Sequence, residues 1–116
     1  VALLADTLHW ARSGGTAQDL RAAPTHLLSY AQICDAPAEG PAKDDAEGII
    51  REAVDDRMQV GEGALAVGDF VRALPADLPL SVELRSKALR EAYADPGERA
   101  LAVARATRKF LASLEN

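Results

Sequence analysis

Three stretches of the chain place oxygen-bearing side chains where an apolar run stops. Asp6 and His9 close VALLADTLH, Gln32 and Asp35 lie in LLSYAQICD, and Glu83 stands at the end of LPLSVEL. Carboxylate and amide oxygens gathered at one place make a site for a hard divalent cation. Glu83 is the most expensive of the three, since a carboxylate directly after Leu80-Ser81-Val82 needs a cation or a donor to compensate its burial. His9, in a loop just leaving its apolar run, is expected to carry a proton or bind substrate hydroxyls.

Each residue also has a plainer use. Asp6 can cap the loop that follows it, and Gln32 can bond to a neighbouring backbone. Asp35 either caps its loop or contacts substrate. Arg85 either pairs with Glu83 or offers its fork to a substrate carboxylate or phosphate. The Gly61-Glu62-Gly63 run is a tight turn and not a phosphate cradle, because its acidic middle repels an anion. Trp10 reads as a lid or as rim packing, His26 as a solvated loop residue, and Asp55-Asp56 as a helix end facing water.

The elements that must position these groups alternate between strand and helix. Val1 to Ala5, Leu27 to Cys34 and Leu80 to Glu83 read as short apolar strands, buried on both faces as parallel strands are. Thr16 with Asp19 opens a helix over Ala17 to Ala22 that ends near Pro24. Ala36 to Pro41 is turn-rich, and Asp44 then caps a helix with Ile49, Ile50, Ala53 and Val54 as its buried stripe. A further helix carries Val67, Phe70, Val71 and Leu74 and closes at Pro75. Ser86 to Tyr93 is helical, and Asp95-Pro96-Gly97-Glu98 starts the last helix, with Leu101, Ala104, Phe110, Leu111 and Leu114 on one face. This pattern predicts an α/β fold of three β/α units, where a closed barrel takes eight. In such a barrel the carboxyl ends of the strands converge on one mouth, where the active site lies.

Composition narrows the function classes. The 116 residues suffice for one domain, with 48% hydrophobic and 27% charged residues. A net charge of −5 disfavours nucleic acid and anionic membranes as partners. No apolar run approaches the roughly 20 residues of a membrane span. Cys34, the single cysteine, reads as a buried thiol and fits a reducing cytoplasm. The strand-like run already begins at Val1, as expected of a chain whose earlier part is absent. Three units leave two open sheet edges, so association with the missing barrel half or self-association is expected.

The pieces DTLHWARSGGT, YAQICDAPA, the GEG turn before VGDFVRAL, and LSVEL resemble the C-terminal portion of the xylose-isomerase-like TIM barrel superfamily of sugar phosphate isomerases and epimerases. The resemblance spans nearly the whole chain and implies the last three β/α units plus the terminal helix. It implies a divalent metal held by Asp6, by Gln32 in the place of a histidine, and by Glu83, with a further Glu upstream of Val1. His9 would then be the substrate contact and Glu83 and His9 the catalytic pair, while Asp35 and Arg85 would also bind substrate. An amide oxygen in place of an imidazole makes the site all-oxygen, so Mn²⁺ or Mg²⁺ is preferred to Zn²⁺. The implied activity is metal-dependent isomerisation or epimerisation of a sugar or sugar phosphate. Gln32 followed by Asp35-Ala36-Pro37 also resembles the 3-dehydroshikimate dehydratase branch, a lyase acting on a cyclic hydroxy-ketone. A non-catalytic barrel fragment serving assembly is the third reading.

Overall fold

Asp6 ends a strand and starts a helix at once. Its backbone is still extended (φ −128°, ψ 130°), while its Oδ1 accepts the free N–H groups of Leu8 at 2.9 Å and His9 at 3.2 Å. Satisfying those orphan donors lets β1 (Leu3–Asp6) run straight into α1 (Thr7–Arg12). The expected loop is therefore a helix, and His9 stands on its first turn. The computed structural model describes residues 1–115.

The other helix starts follow the same chemistry. Thr16 and Asp19 form a reciprocal capping box for α2 (Ala17–Ala22), as their spacing predicts. After a 3₁₀ turn at Thr25–Leu27 comes β2 (Leu28–Ile33). α3 (Ala46–Asp55) is capped by Asp45, not Asp44, because the Asp45 carboxylate reaches the Gly48 N–H at 2.9 Å. α4 (Val67–Ala73) stops before Pro75, and β3 (Leu80–Val82) follows. Ser86 caps α5 (Lys87–Ala92), and Asp95 with Pro96 opens α6 (Pro96–Ser113) as predicted.

The three strands are parallel and adjacent in the order β1-β2-β3, with Asp6 opposite Gln32 and Gln32 opposite Ser81. Ala5, Ala31, Ile33, Leu80 and Val82 face the helices and pack with Leu20 of α2 and Val67 and Phe70 of α4. Full burial of a side chain such as Phe70 contributes about 1.5–3 kcal/mol, so this layer is the main apolar anchor. The opposite sheet face is uncovered: Leu4 is 49% and Tyr30 40% exposed. The strands are thus buried on one face only, unlike the two-sided burial expected of them.

Two predicted apolar faces also differ. Ile49 and Ile50 of α3 are exposed, and Leu101 of α6 is exposed while Thr107 is buried. Thr107 is drawn inward by Gln59, whose amide donates to its hydroxyl at 3.1 Å. The amphipathic spacing is present in both helices, but part of the apolar side looks outward.

Asp35 is placed otherwise than as a substrate contact. It is buried, and its Oδ1 accepts from the N–H groups of Ala36 (2.9 Å) and Leu65 (3.0 Å) while Oδ2 accepts from Gly61 (3.0 Å). Asp35 and Met58 also exchange two backbone hydrogen bonds of 2.8 Å. Gly61 has φ +88°, which glycine adopts at no steric cost, and a side chain at Gly63 would overlap the Asp35 carboxylate. The GEG run is the tight turn it reads as, folded around one buried carboxylate. Replacing Asp35 with alanine leaves three donors unanswered and should cost about 2–4 kcal/mol of unfolding free energy in urea, whereas a loss below about 0.5 kcal/mol would show that the turn holds without it.

Candidate active site

The exits of β1, β2 and β3 bring Asp6, Gln32 and Glu83 to one end of the sheet. Gln32 points away from the helical layer, since its neighbours Ala31 and Ile33 point into it. Its amide Nε2 donates to Glu83 Oε2 at 3.2 Å. Glu83 lies one residue past β3, tied to β2 by its N–H on the Ile33 carbonyl at 3.1 Å. The partner of Glu83 is therefore Gln32 and not Arg85, which is exposed and makes no ion pair among the described residues. Arg85 instead gives its carbonyl to the Arg57 N–H at 3.1 Å.

Arg57 is the residue that sequence reasoning missed. Its guanidinium is buried beside Asp6, with Nη1 2.9 Å from Asp6 Oδ2. Nε donates to the Ala53 carbonyl at 2.8 Å, Nη1 also reaches Cys34 Sγ at 3.4 Å, and Nη2 lies 3.4 Å from His9 Nε2. Burial works against the charge, but the hydrogen bonds to Asp6 and Cys34 outweigh it and hold the guanidinium above its ordinary pKa. Arginine only donates, so this contact is a hydrogen bond in the tautomer that leaves His9 Nε2 as the acceptor. His9 itself is exposed and open to a substrate. No spacing rule pointed to it, since Asp55 and Asp56 beside it in the sequence offer local partners that it does not take.

The donors present fit a cation only in part through Asp6. Of its roughly four lone-pair positions, two go to backbone N–H groups and one to Arg57, leaving one. Gln32 and Glu83 are half-buried and satisfied by each other, so both can turn an oxygen outward. Among the described residues no three of His, Cys, Asp and Glu cluster as metal ligands. Trp10 is not a lid: it packs edge-on against Phe70 at 5.3 Å, and its indole N–H donates to the Thr16 carbonyl. Asp55 pairs with Arg90 at 2.6 Å and does not simply face water, while His26 is exposed as expected.

The fold is that of part of a xylose-isomerase-like TIM barrel. Over 98% of its length the chain is similar to the IOLI protein described with a binding zinc atom, at TM-score 0.77 and 20% identity, covering 38% of that chain. Over 100% of its length it is similar to a xylose isomerase domain protein from Alicyclobacillus acidocaldarius, at TM-score 0.67 and 25% identity, covering 39% of that chain. The chain thus spans about two fifths of the solved structures it matches. No protein-family model matches the sequence, and no curated protein does. Among the described residues no helix is long and apolar enough to cross a membrane.

Cys34 lies against this site without the properties of a nucleophile. Burial pushes its thiol pKa up, and the Thr7 hydroxyl and Arg57 guanidinium only partly oppose that. A raised value keeps the thiol protonated to higher pH, and the protonated form is unreactive. Alkylation of the native protein by iodoacetamide should therefore stay slow up to about pH 8.5, the ordinary thiol pKa, and become fast in urea. Fast native labelling at neutral pH would mean a thiolate stabilised by Arg57.

Proposed function

We propose that this chain supplies part of the active site of a metal-dependent sugar or sugar phosphate isomerase or epimerase. The observation that carries the reading is the Gln32–Glu83 hydrogen bond of 3.2 Å across neighbouring strand exits, with Asp6 in register beside Gln32. Oxygens from these three residues would hold one divalent cation. The zinc described for the similar IOLI protein supports a metal of this charge, and the amide of Gln32 favours Mn²⁺ or Mg²⁺. Such an ion, when bound, polarises a substrate carbonyl.

The chain's own residues do the rest. Glu83, half-buried and, among the described residues, hydrogen-bonded only through one side-chain oxygen, takes the proton from the carbon beside that carbonyl. His9, exposed on α1, carries the proton back or holds a substrate hydroxyl. Arg57 sets a permanent positive charge beside Asp6 and His9 and favours the negative charge that develops as the proton leaves. Arg85, exposed after β3, meets a carboxylate or phosphate on the substrate. The remaining strands of the barrel cover Leu4 and Tyr30 and bring a further carboxylate, and the lone buried thiol suits the cytoplasm.

A second reading, a 3-dehydroshikimate dehydratase-like lyase, is favoured by Gln32 together with the Asp35-Ala36-Pro37 run. Both reactions begin with the same proton removal, so substrate tests separate them while the site test serves both. In the whole protein, Glu83→Gln should lower turnover by about 10²–10⁴ and reduce bound metal in the same preparation. Gln32→His should retain metal and shift the Mn-to-Zn ratio towards Zn on elemental analysis. Intact metal content and turnover in Glu83→Gln would remove the assignment and leave a non-catalytic assembly role.

A further inference from the structure

Apolar burial seats α3 only lightly, through Ala53 packed against Leu8, Cys34 and Ala36. Ile49 and Ile50 are 44% and 62% exposed, Ala53 and Val54 are half-buried, and only Gly48 and Glu52 are buried. Glu52 meets Arg12 in a two-pronged pair, Nε to Oε2 at 3.0 Å and Nη2 to Oε1 at 2.6 Å. The other Arg12 donors reach the carbonyls of Pro37 at 2.8 Å and Ala38 at 3.3 Å, and a side chain at Gly40 would overlap the guanidinium. One arginine thus fastens the end of α1, the proline-rich turn and α3 together.

The residue after Glu52 carries the consequence. Ala53 gives its carbonyl to Arg57 Nε at 2.8 Å, while the same guanidinium meets Asp6 and His9. A planar fork held by four partners, Cys34 among them, has one orientation, and α3 supplies one of the four. A displacement of α3 by about 1 Å would break that contact, and misplacement on this scale costs catalysis about 10²-fold.

We propose that the Arg12–Glu52 ion pair positions Arg57, seating α3 so that the Ala53 carbonyl holds the guanidinium on Asp6 and His9. Arg12 and Glu52 are positioning residues in this scheme, whose catalytic meaning rests on the isomerase-type reading of the site. The test follows hydrogen exchange of the Arg57 Nε–H by ¹⁵N-edited NMR in the whole protein. In Glu52→Gln that exchange should speed up about tenfold or more, the population change expected on losing one hydrogen bond to a charged group. The backbone amides of Ala31 and Glu83, which bond to Pro79 and Ile33, should keep their rates. Arg12→Lys keeps the charge but not the fork, and should give a smaller acceleration in the same direction; if Glu52→Gln does not fold, the same rates in Arg12→Lys decide. Unchanged Arg57 exchange, or exchange lost together with the sheet amides, overturns the proposal. The rates need no substrate, so the expected exchange pattern in a protein without isomerase or dehydratase turnover would sink the functional reading alone.

Discussion

Two opposite charges buried against each other organise this end of the molecule. Asp6 and Arg57 are 6% and 5% exposed and 2.9 Å apart, and neither could be buried alone without a penalty of several kcal/mol. The cost is offset because every other polar atom of the pair is also used. Asp6 closes β1 and caps α1, and Arg57 binds the Ala53 carbonyl of α3 and the Cys34 sulfur that follows β2. Three regions far apart in sequence, the β1–α1 junction, the end of β2 and α3, are thereby held in one geometry. Removing either partner would strand the other, which is a stronger constraint than the net stabilisation of the pair.

The sheet divides the molecule into a finished side and an open one. On the helical side Phe70, Ile33 and Val67 are buried beneath α2 and α4, and Trp10 closes the packing edge-on. On the other side Leu4 and Tyr30 stand exposed below Gln32 and Glu83. In a closed barrel that side is the packed interior, and the polar residues above it line the mouth. The exposed apolar residues and the candidate site are thus two levels of the same uncovered face.

Much of the fold was legible because its signals are local. Thr16 with Asp19 and Asp95 with Pro96 satisfy their own helix ends within four residues, so the letters alone determine them. The parallel order of the strands followed from strand–helix alternation, and the strand exits carried the polar residues expected there. The partners of those residues were not legible. Arg57 lies 51 positions from Asp6, and no rule of spacing joins them. Of the two readings of Asp35 the loop cap is what the structure shows, but its partners are backbone N–H groups of a turn that must fold before they exist as a set. Ile49 and Ile50 have helical spacing but not burial, since their helix is held by the Arg12–Glu52 ion pair and by Ala53 and leaves these two side chains outside.

That difference in how the parts are held divides the site into a rigid and a compliant half. Asp6 has one lone-pair position left and is fixed by Arg57 and two backbone donors, so it can move little when a cation arrives. Gln32 and Glu83 are half-buried and hold only each other through a single 3.2 Å bond, so both can rotate. A neutral amide, with Asp6 already paired to a guanidinium, also gives a cation less attraction than free carboxylates would. A metal held as proposed would therefore depend mainly on Glu83 and on ligands outside these residues. Asp6 acts instead as the fixed point against which the others adjust.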